Sequence, residues 1–159
     1  MINYVKGDIL ECVTTGIIVQ CCNAQGVQNS GIAKSIRAMY PNVYNDYKFD
    51  IDNGLVLGGV SWWLKPDTRL AVASIIGQEF YGRDKDVVYV SYEAIEVGLN
   101  IVFMEATYME TTYNGGMMVN MPKIGCGLAN GNWNIVSEII IRTAKNNNYP
   151  LDNIFVYEL

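Results

Sequence analysis

The sequence predicts one α/β domain, with a mixed and mostly parallel six-stranded sheet between two layers of helices. Segments of strand length alternate with segments of helical periodicity, as they do in sheets that carry helices on both faces. Residues 16–21 form an apolar run of strand length, which is typical of a central strand covered on both sides. The chain has 159 residues, 50% of them hydrophobic, which suits a single domain over residues 1–159.

Six segments are predicted to be strands. They are residues 2–5, 16–21, 60–65, 70–76, 117–121 and 154–158. The third and fourth are joined by a turn at Pro66 and Asp67, because both residue types favour turns. Helical segments separate most of the others, which predicts a largely parallel sheet.

Four segments are predicted to be helices: residues 32–40, residues 43–49, a long helix that follows Ser91, and residues 134–146. The first ends where Pro41 would interrupt it. The long helix has Ser91 as its N-cap and Glu93 in its first turn, where a negative charge is favourable. Residues 115–116, both glycine, end it. Its buried face is formed by residues spaced three and four apart: Ile95, Leu99, Val102, Ala106 and Met109.

Charge and composition exclude several functions. The net charge is −5 and the 11 Lys and Arg residues form no run, which disfavours a nucleic-acid polymer as partner. A single small phosphate ligand is compatible with this charge, because backbone N–H groups bind phosphate without side-chain cations. The chain has no histidine, which excludes His general bases, Ser-His triads and His-ligated metals.

Cysteine spacing and hydropathy add further expectations. None of the four cysteines, Cys12, Cys21, Cys22 and Cys126, forms a Cys-x-x-Cys pair. We therefore expect no metal, no cofactor, and reduced thiols that are mostly buried. Apolar stretches reach only strand length, which predicts no membrane span. Residues 1–4 lack the pattern of a secretory signal, so we expect a cytoplasmic protein whose oligomeric state the sequence leaves open.

Two glycine-rich loops follow predicted strands and lead into helices. Residues 124–131 contain three glycines, whose backbone can turn several N–H groups toward one point at the start of a helix. Residues 23–31 offer a similar set of backbone N–H groups and add the side-chain amides of Asn23 and Gln25. Each loop alone is equally well explained as an ordinary strand–turn–helix connection. Together, at the carboxyl ends of parallel strands, they predict a phosphate site.

Three stretches of the chain resemble macro domains. They are Tyr4-Val-Lys-Gly-Asp-Ile9, Cys22-Asn-Ala-Gln-Gly26 with Ser30-Gly-Ile-Ala33, and Asn120-Met-Pro-Lys-Ile-Gly-Cys-Gly-Leu128. The resemblance is to the branch that contains ADP-ribose-1″-phosphate phosphatases, terminal ADP-ribose glycohydrolases and phage relatives. It implies a three-layer α/β/α macro fold and an ADP-ribose-type nucleotide as the small-molecule ligand. The Asn-, Tyr- and Ile-rich composition is compatible with a phage or AT-rich bacterial source.

The resemblance implies binding roles for adenine and the phosphates. Asp8 would accept a hydrogen bond from the adenine amine beside a backbone contact from Ile9, and Tyr157 would lie against the ring. From the residues alone, Asp8 is equally an Asx turn and Tyr157 a half-buried strand tyrosine. The diphosphate would be bound from two sides, by Gly31, Ile32 and Ala33 and by Gly125, Cys126, Gly127 and Leu128.

The distal ribose has its own implied residues. Asn23 would reach its hydroxyls, and residues 78–82 would close over it from Gln78 onward. Phe80 or Tyr81 would supply the apolar wall of this subsite. The conformation of residues 78–90 would then decide which group on the ribose is accepted.

The groups that the resemblance implies for catalysis are missing. A histidine would stand where this chain has Gln20, and an acid where it has Ala129. A lysine is implied within residues 76–79, which contain none. Neither an amide nor a methyl group transfers protons near pH 7, so the lysine-adduct glycohydrolase mechanism is not expected. The weak catalytic candidates, which would orient a water rather than transfer a proton, are Asn23, Gln20 and Asn130.

Two functions from different classes fit these residues. The first is a binding module that captures, and so sequesters, ADP-ribose or a related signalling nucleotide. The second is a hydrolase that removes the 1″-phosphate of ADP-ribose-1″-phosphate or cleaves an ADP-ribosyl bond. A structural or protein-interaction domain without ligand is the third alternative.

Overall fold

Strands and helices alternate along the chain. The structure, a computed structural model, describes residues 1–112 and 117–159. Its strands are β1 (Asn3–Lys6), β2 (Gly16–Asn23), β3 (Val60–Leu64), β4 (Leu70–Gln78), β5 (Val119–Met121) and β6 (Ile154–Glu158). Its helices are α1 (Ile9–Cys12), α2 (Gly31–Met39), α3 (Pro41–Asp52), α4 (Tyr92–Thr112) and α5 (Trp133–Asn146), with a 3-10 turn at Leu151–Asn153. Within the described ranges, no helix has both the length and the apolarity that a membrane crossing requires.

The strands form one sheet in the order β1-β6-β5-β2-β4-β3. Every neighbouring pair is parallel except β3 and β4, which are antiparallel on either side of the predicted turn. β2 lies between β5 and β4, so that Ile17 is opposite both Val119 and Ala71. The prediction of a mixed, mostly parallel six-stranded sheet is confirmed.

Alternate residues of β2 face opposite sides of the sheet. Ile17 and Val19 belong to a hydrophobic cluster that contains the buried residues of α4 and α5. Ile18 belongs to a second cluster with α1 and α2, and Cys22 to a third with Tyr47 of α3. Helices therefore cover both faces, which confirms the three-layer α/β/α architecture.

The long helix, α4, packs as its periodicity predicts. Four residues of the predicted face are fully buried, and the fifth, Met109, is partly buried against the same cluster. Ser91 precedes the helix, and its hydroxyl oxygen accepts a hydrogen bond from the Ala94 N–H at 3.1 Å, as an N-cap does. The predicted end of the helix at residues 115–116 lies outside the described residues.

Helix α1 was not predicted from the sequence, and helix α3 has other bounds than those predicted. The four-residue helix α1 was not predicted, because it is too short for a periodic pattern; Asp8 caps it by accepting the Leu10 N–H at 2.9 Å. Pro41 ends α2 as expected but is also the first residue of α3, a position where proline costs no hydrogen bond. As a result, α3 begins at Pro41 instead of residue 43; it also runs on to Asp52 instead of ending at residue 49.

Candidate functional site

A cavity of about 610 Å³ lies at one edge of the sheet. Its wall is drawn from the carboxyl ends of β2 and β4 and from the segments that follow β2, β4 and β5, within residues 24–33, 79–83 and 122–129. These three strands are neighbours in the sheet, so their carboxyl ends meet. Both predicted glycine-rich loops therefore border one cavity.

Asn23, the last residue of β2, shapes the first loop. Its Oδ1 accepts the N–H groups of Gln25 at 3.0 Å and Val27 at 3.3 Å, and its Nδ2 donates to the Val27 carbonyl at 2.8 Å. The buried hydroxyl of Tyr47 donates to the Asn23 carbonyl and accepts the Gly26 N–H at 3.1 Å. The Asn23 side chain lines the cavity and also holds the loop in its folded shape.

The N-terminus of α2 opens into the cavity. Gly31, Ile32 and Ala33 all line it, and within the described part of the chain their N–H groups donate to no protein acceptor. The capping residue, Ser30, makes no side-chain hydrogen bond to them. Gly31 has φ +58°, a left-handed conformation that favours glycine. The first turn of α2 therefore presents free donors and the positive end of the helix dipole to a ligand.

The second loop faces α2 across the cavity. It is closed by a hydrogen bond from the Gly131 N–H to the Gly125 carbonyl at 2.8 Å, and Gly125 has φ +72°. The N–H groups of Gly127, Leu128 and Ala129, which all line the cavity, have no acceptor among the described residues. Two sets of unpaired backbone donors thus border the same space, which is an arrangement that binds phosphate.

The charge of the cavity wall differs from that of the whole chain. Arg83 and Lys123 line it, whereas none of its described lining residues is acidic, although the chain carries a net charge of −5. Lys123 forms an ion pair with Glu158 at 2.7 Å, and that hydrogen bond raises the pKa of the lysine. Arg83 and the absence of acidic side chains among the described lining residues suit the cavity to an anion, whereas the charge of Lys123 is offset by Glu158.

The structure brings most of the predicted binding residues together. The cavity is lined by Asn23, Gly31, Ile32, Ala33, Gln78, Tyr81, Gly125, Gly127 and Leu128. Cys126 lies in the second loop but outside the lining, where its thiol donates to the Ile124 carbonyl. Asp8, Ile9 and Tyr157 also lie outside it; Ile9 and Tyr157 belong to the same hydrophobic cluster as Ile32, which lines the cavity.

Two of the catalytic candidates lie outside the cavity wall. Gln20 is fully buried, and its Nε2 donates to the Ser74 hydroxyl at 2.9 Å. The Nδ2 of Asn130 donates to the carbonyls of Asp84 and Val87, which ties the second loop to the segment before α4. In the described structure, Asn23 is thus the one candidate of the three that reaches the cavity.

Gln28 also lines the cavity, although nothing in the sequence singles it out. It is only 2% exposed, which is unusual for a glutamine in a loop. Its burial depends on how residues 24–30 fold over β2, a tertiary feature without a local sequence signal.

The four cysteines have different environments. Cys22 is buried, Cys21 and Cys126 are partly buried, and Cys12 is exposed, so the expectation of mostly buried thiols fails for Cys12. Burial raises the pKa of the thiols of Cys21, Cys22 and Cys126. Among the described residues, no cluster of side chains could hold a metal ion.

Iodoacetamide should therefore alkylate Cys12 well before Cys22. The pKa of the buried Cys22 thiol is raised to about 12, and only the thiolate reacts, so at pH 8 the reactive fraction is roughly 10⁻⁴. Peptide mass spectrometry of the folded protein after brief labelling measures the order. Labelling of Cys22 at the rate of Cys12 would contradict the buried position of Cys22.

Comparison with curated proteins places the chain among proteins named for ADP-ribose derivatives. No family model matches it. It is 28% identical over 149 residues to an ADP-ribose 1″-phosphate phosphatase of Scheffersomyces stipitis, covering 80% of this chain and 86% of that protein. It is 29% identical over 139 residues to the ADP-ribose glycohydrolase OARD1 of Bos taurus, covering 87% and 81%. A 17.5 kDa protein from the tk-vs intergenic region of Enterobacteria phage T4 is 23% identical over 148 residues, covering 88% of each.

Solved structures share the whole fold. A macrodomain protein from Streptomyces coelicolor has a TM-score of 0.75 and 27% identity, covering 100% of this chain and 99% of that one. A Bacteroides thetaiotaomicron protein has a TM-score of 0.82 and 27% identity, covering 100% and 98%. Thermosipho africanus DarTG, solved with ADP-ribose, has a TM-score of 0.72 over 98% of this chain and 41% of that one; at 17% identity the likeness shows the fold alone.

The fold and the cavity define a three-layer α/β/α domain with a cavity at the carboxyl edge of its sheet. The comparisons support one class for such a domain. The chain has the fold of macro domains, and its curated relatives and solved neighbours support that class.

Proposed function

We propose that the chain binds ADP-ribose or a related ADP-ribose-derived nucleotide in this cavity and acts as a capture module. One observation carries the proposal: unpaired N–H groups of α2 and of the second loop converge on a cavity wall that has cations and no carboxylate among its described residues. This is the donor arrangement that a diphosphate needs. The names of the curated relatives support the same ligand class.

The proposed ligand lies along the edge of the sheet. Its diphosphate accepts hydrogen bonds from the first turn of α2 on one side and from residues 127–129 on the other. Its adenine lies beyond Ile32, beside Asp8 and Tyr157. Its distal ribose occupies the end bordered by Asn23 and Gln78, which are opposite each other on β2 and β4.

The residues of the cavity wall favour capture of the nucleotide over its hydrolysis by acid–base catalysis. General bases in enzymes are most often histidine or a carboxylate. The chain has no histidine, and the described wall has no carboxylate. The buried Cys22 thiol, with its pKa raised by burial, stays protonated at neutral pH.

A phosphatase acting on ADP-ribose-1″-phosphate is the second candidate, because curated relatives carry that name. In that case the backbone donors would stabilise charge on the transferring phosphate, and Asn23 would orient the attacking water. Such orientation supplies less acceleration than proton transfer, which contributes roughly 10²–10⁴-fold.

Calorimetric titration with ADP-ribose and with ADP-ribose-1″-phosphate tests both proposals, with chromatography of the mixtures for phosphate release. Binding near nanomolar Kd, about −12 kcal/mol, with both ligands intact would support capture. Release of phosphate at high protein concentration would support the phosphatase and overturn pure capture. Binding no tighter than millimolar to every ADP-ribose derivative would overturn the nucleotide site itself.

Asp8→Asn should weaken adenine-nucleotide binding without unfolding the chain. The amide oxygen still accepts the Leu10 N–H that caps α1, whereas the charge that strengthens a bond to the adenine amine is lost. We expect a loss of about 1–3 kcal/mol of binding free energy for ADP-ribose. Titration calorimetry measures the loss, and Asp8→Ala, which also removes the cap, is the comparison. An unchanged Kd in both variants would remove Asp8 from the site.

A further inference from the structure

The outer side of strand β3 carries backbone groups that the sheet does not use. β3 is the last strand of the sheet, beside β4. The Lys65 N–H donates to the Leu70 carbonyl at 2.9 Å, so the odd-numbered residues of β3 bond to β4 and the even-numbered residues point away from it. Among the described residues, no turn or loop hydrogen bond reaches the backbone of Val60, Trp62 or Leu64.

β3 also lacks the features that keep an edge strand from pairing with another chain. Its sequence, Val-Ser-Trp-Trp-Leu, has no charge and no proline, and its five residue pairs with β4 run without a bulge. Native proteins usually protect an exposed edge with one of these features. The opposite edge of the sheet, β1, has four residues and ends in Lys6. An unprotected edge with an apolar side chain such as Leu64, which is 62% exposed, is typical of a strand that pairs with a second chain.

We propose that β3 is the interface of a symmetric dimer, in which it pairs antiparallel with β3 of a second copy of this chain. A pair centred on Trp62 sets Trp62 opposite its own copy and Val60 opposite Leu64. These are the residues whose N–H and C=O groups point away from β4, and each opposed pair exchanges two hydrogen bonds. One surface thus serves both copies, as twofold symmetry requires.

The two faces of β3 match in this register. Opposite residues of an antiparallel pair point to the same face of a sheet. Val60 and Trp62 pack, partly buried, against the cluster under α4, so the two Trp62 side chains meet on the α4 face. Ser61 faces α3, where its hydroxyl donates to Asp50 Oδ2 at 2.6 Å. Each helical layer of one copy therefore continues into the same layer of the other.

The charges beside β3 are complementary between two copies. Asp46 and Asp50 lie one turn apart on α3, and neither forms an ion pair within the described part of the chain. Partial burial, and then the charge of Asp50, raise the pKa of Asp46. Lys65, directly after β3, is exposed and likewise has no described ion pair. The register sets Lys65 opposite Gly59 of the other copy, beside the Ser61 that bonds to Asp50, so each lysine meets the carboxylates of the other chain.

Sedimentation velocity of the wild-type chain, from low to high micromolar concentration, tests the dimer, which should have the mass of two chains. Leu64→Pro removes an outward N–H and no bond to β4, and should weaken dimerisation roughly tenfold or more. Leu64→Ala is the matched control, because it shortens the same side chain but keeps the N–H; its dimerisation should stay within about threefold of the wild type. Equal weakening in both variants would contradict strand pairing.

Lys65→Glu tests the charge complementarity and does not depend on whether β3 folds with a proline. It should weaken dimerisation roughly tenfold, and by more at low salt. Lys6→Glu, the same change of charge on the opposite edge strand, should leave dimerisation unchanged. Zero-length carbodiimide cross-linking of mixed isotope-labelled and unlabelled chains should join Lys65 of one copy to Asp46 or Asp50 of the other.

Two results would overturn the inference. A wild-type chain that stays monomeric at every concentration would show that β3 does not pair with a second copy. A dimer that neither Leu64→Pro nor Lys65→Glu weakens would show that another surface forms the interface. Neither result depends on a nucleotide, so the dimer and the proposed function fail or succeed separately.

Discussion

Gly127→Val should abolish tight nucleotide binding while leaving the fold intact. A Cβ added at Gly127 meets no protein atom within 4 Å, and its φ is not in the left-handed region, so the free protein tolerates a side chain there. Because Gly127 lines the cavity, we expect that side chain to occupy the space between the second loop and α2. A diphosphate that needs backbone contact with this loop would then lose affinity on the order of 100-fold, near 3 kcal/mol.

The measurement is titration calorimetry with ADP-ribose, together with a thermal melt of each variant. Gly127→Ala provides a graded comparison, because a single methyl group occupies less of the same space and should cost less affinity. If both variants have the Tm of the wild type, the loss of affinity arises at the site and not from a damaged fold. Unchanged affinity in Gly127→Val would show that the second loop does not contact the ligand, and would remove half of the proposed phosphate site.

The fold was predictable because its main elements have strong local signals. The apolar run of β2 is typical of a covered central strand, and α4 shows its buried face directly in the spacing of its residues. Where the prediction erred, the local signal was ambiguous. Pro41 is compatible with the end of one helix and with the start of the next, and the structure uses it for both.

The candidate site was predictable only in part. The glycine-rich loops were found because glycine and the strand–loop–helix order are local features, and the resemblance to macro domains added individual residues. Gln28 was missed because its burial follows from the fold of residues 24–30 over Cys22. The environments of Gln20 and Asn130 were equally hidden, since each side chain bonds to residues more than forty positions away, Gln20 to Ser74 and Asn130 to Asp84 and Val87.

Tyr47→Phe should destabilise the protein and weaken nucleotide binding together. The Tyr47 side chain is fully buried, burial raises the pKa of its hydroxyl, and that hydroxyl joins the Asn23 carbonyl to the Gly26 N–H. Phenylalanine would leave both backbone groups without this partner, at a cost of about 2 kcal/mol in unfolding free energy. For a domain of this size the Tm should fall by about 4–8 °C.

The expected loss of nucleotide affinity follows from the position of the Tyr47 hydrogen bonds to Asn23 and Gly26. Asn23 and residues 27–33 line the cavity, so a first loop that has lost the Tyr47 hydroxyl, and is held to α3 less firmly, must be ordered further when the ligand binds. We expect roughly tenfold weaker binding of ADP-ribose, measured below the Tm of the variant. Tyr40→Phe is the control, because the Tyr40 hydroxyl has no hydrogen-bond partner among the described residues while its ring packs on Trp63. If Tyr47→Phe lowers the Tm but binds ADP-ribose as the wild type does, the first loop does not need the Tyr47 hydroxyl in order to hold the ligand.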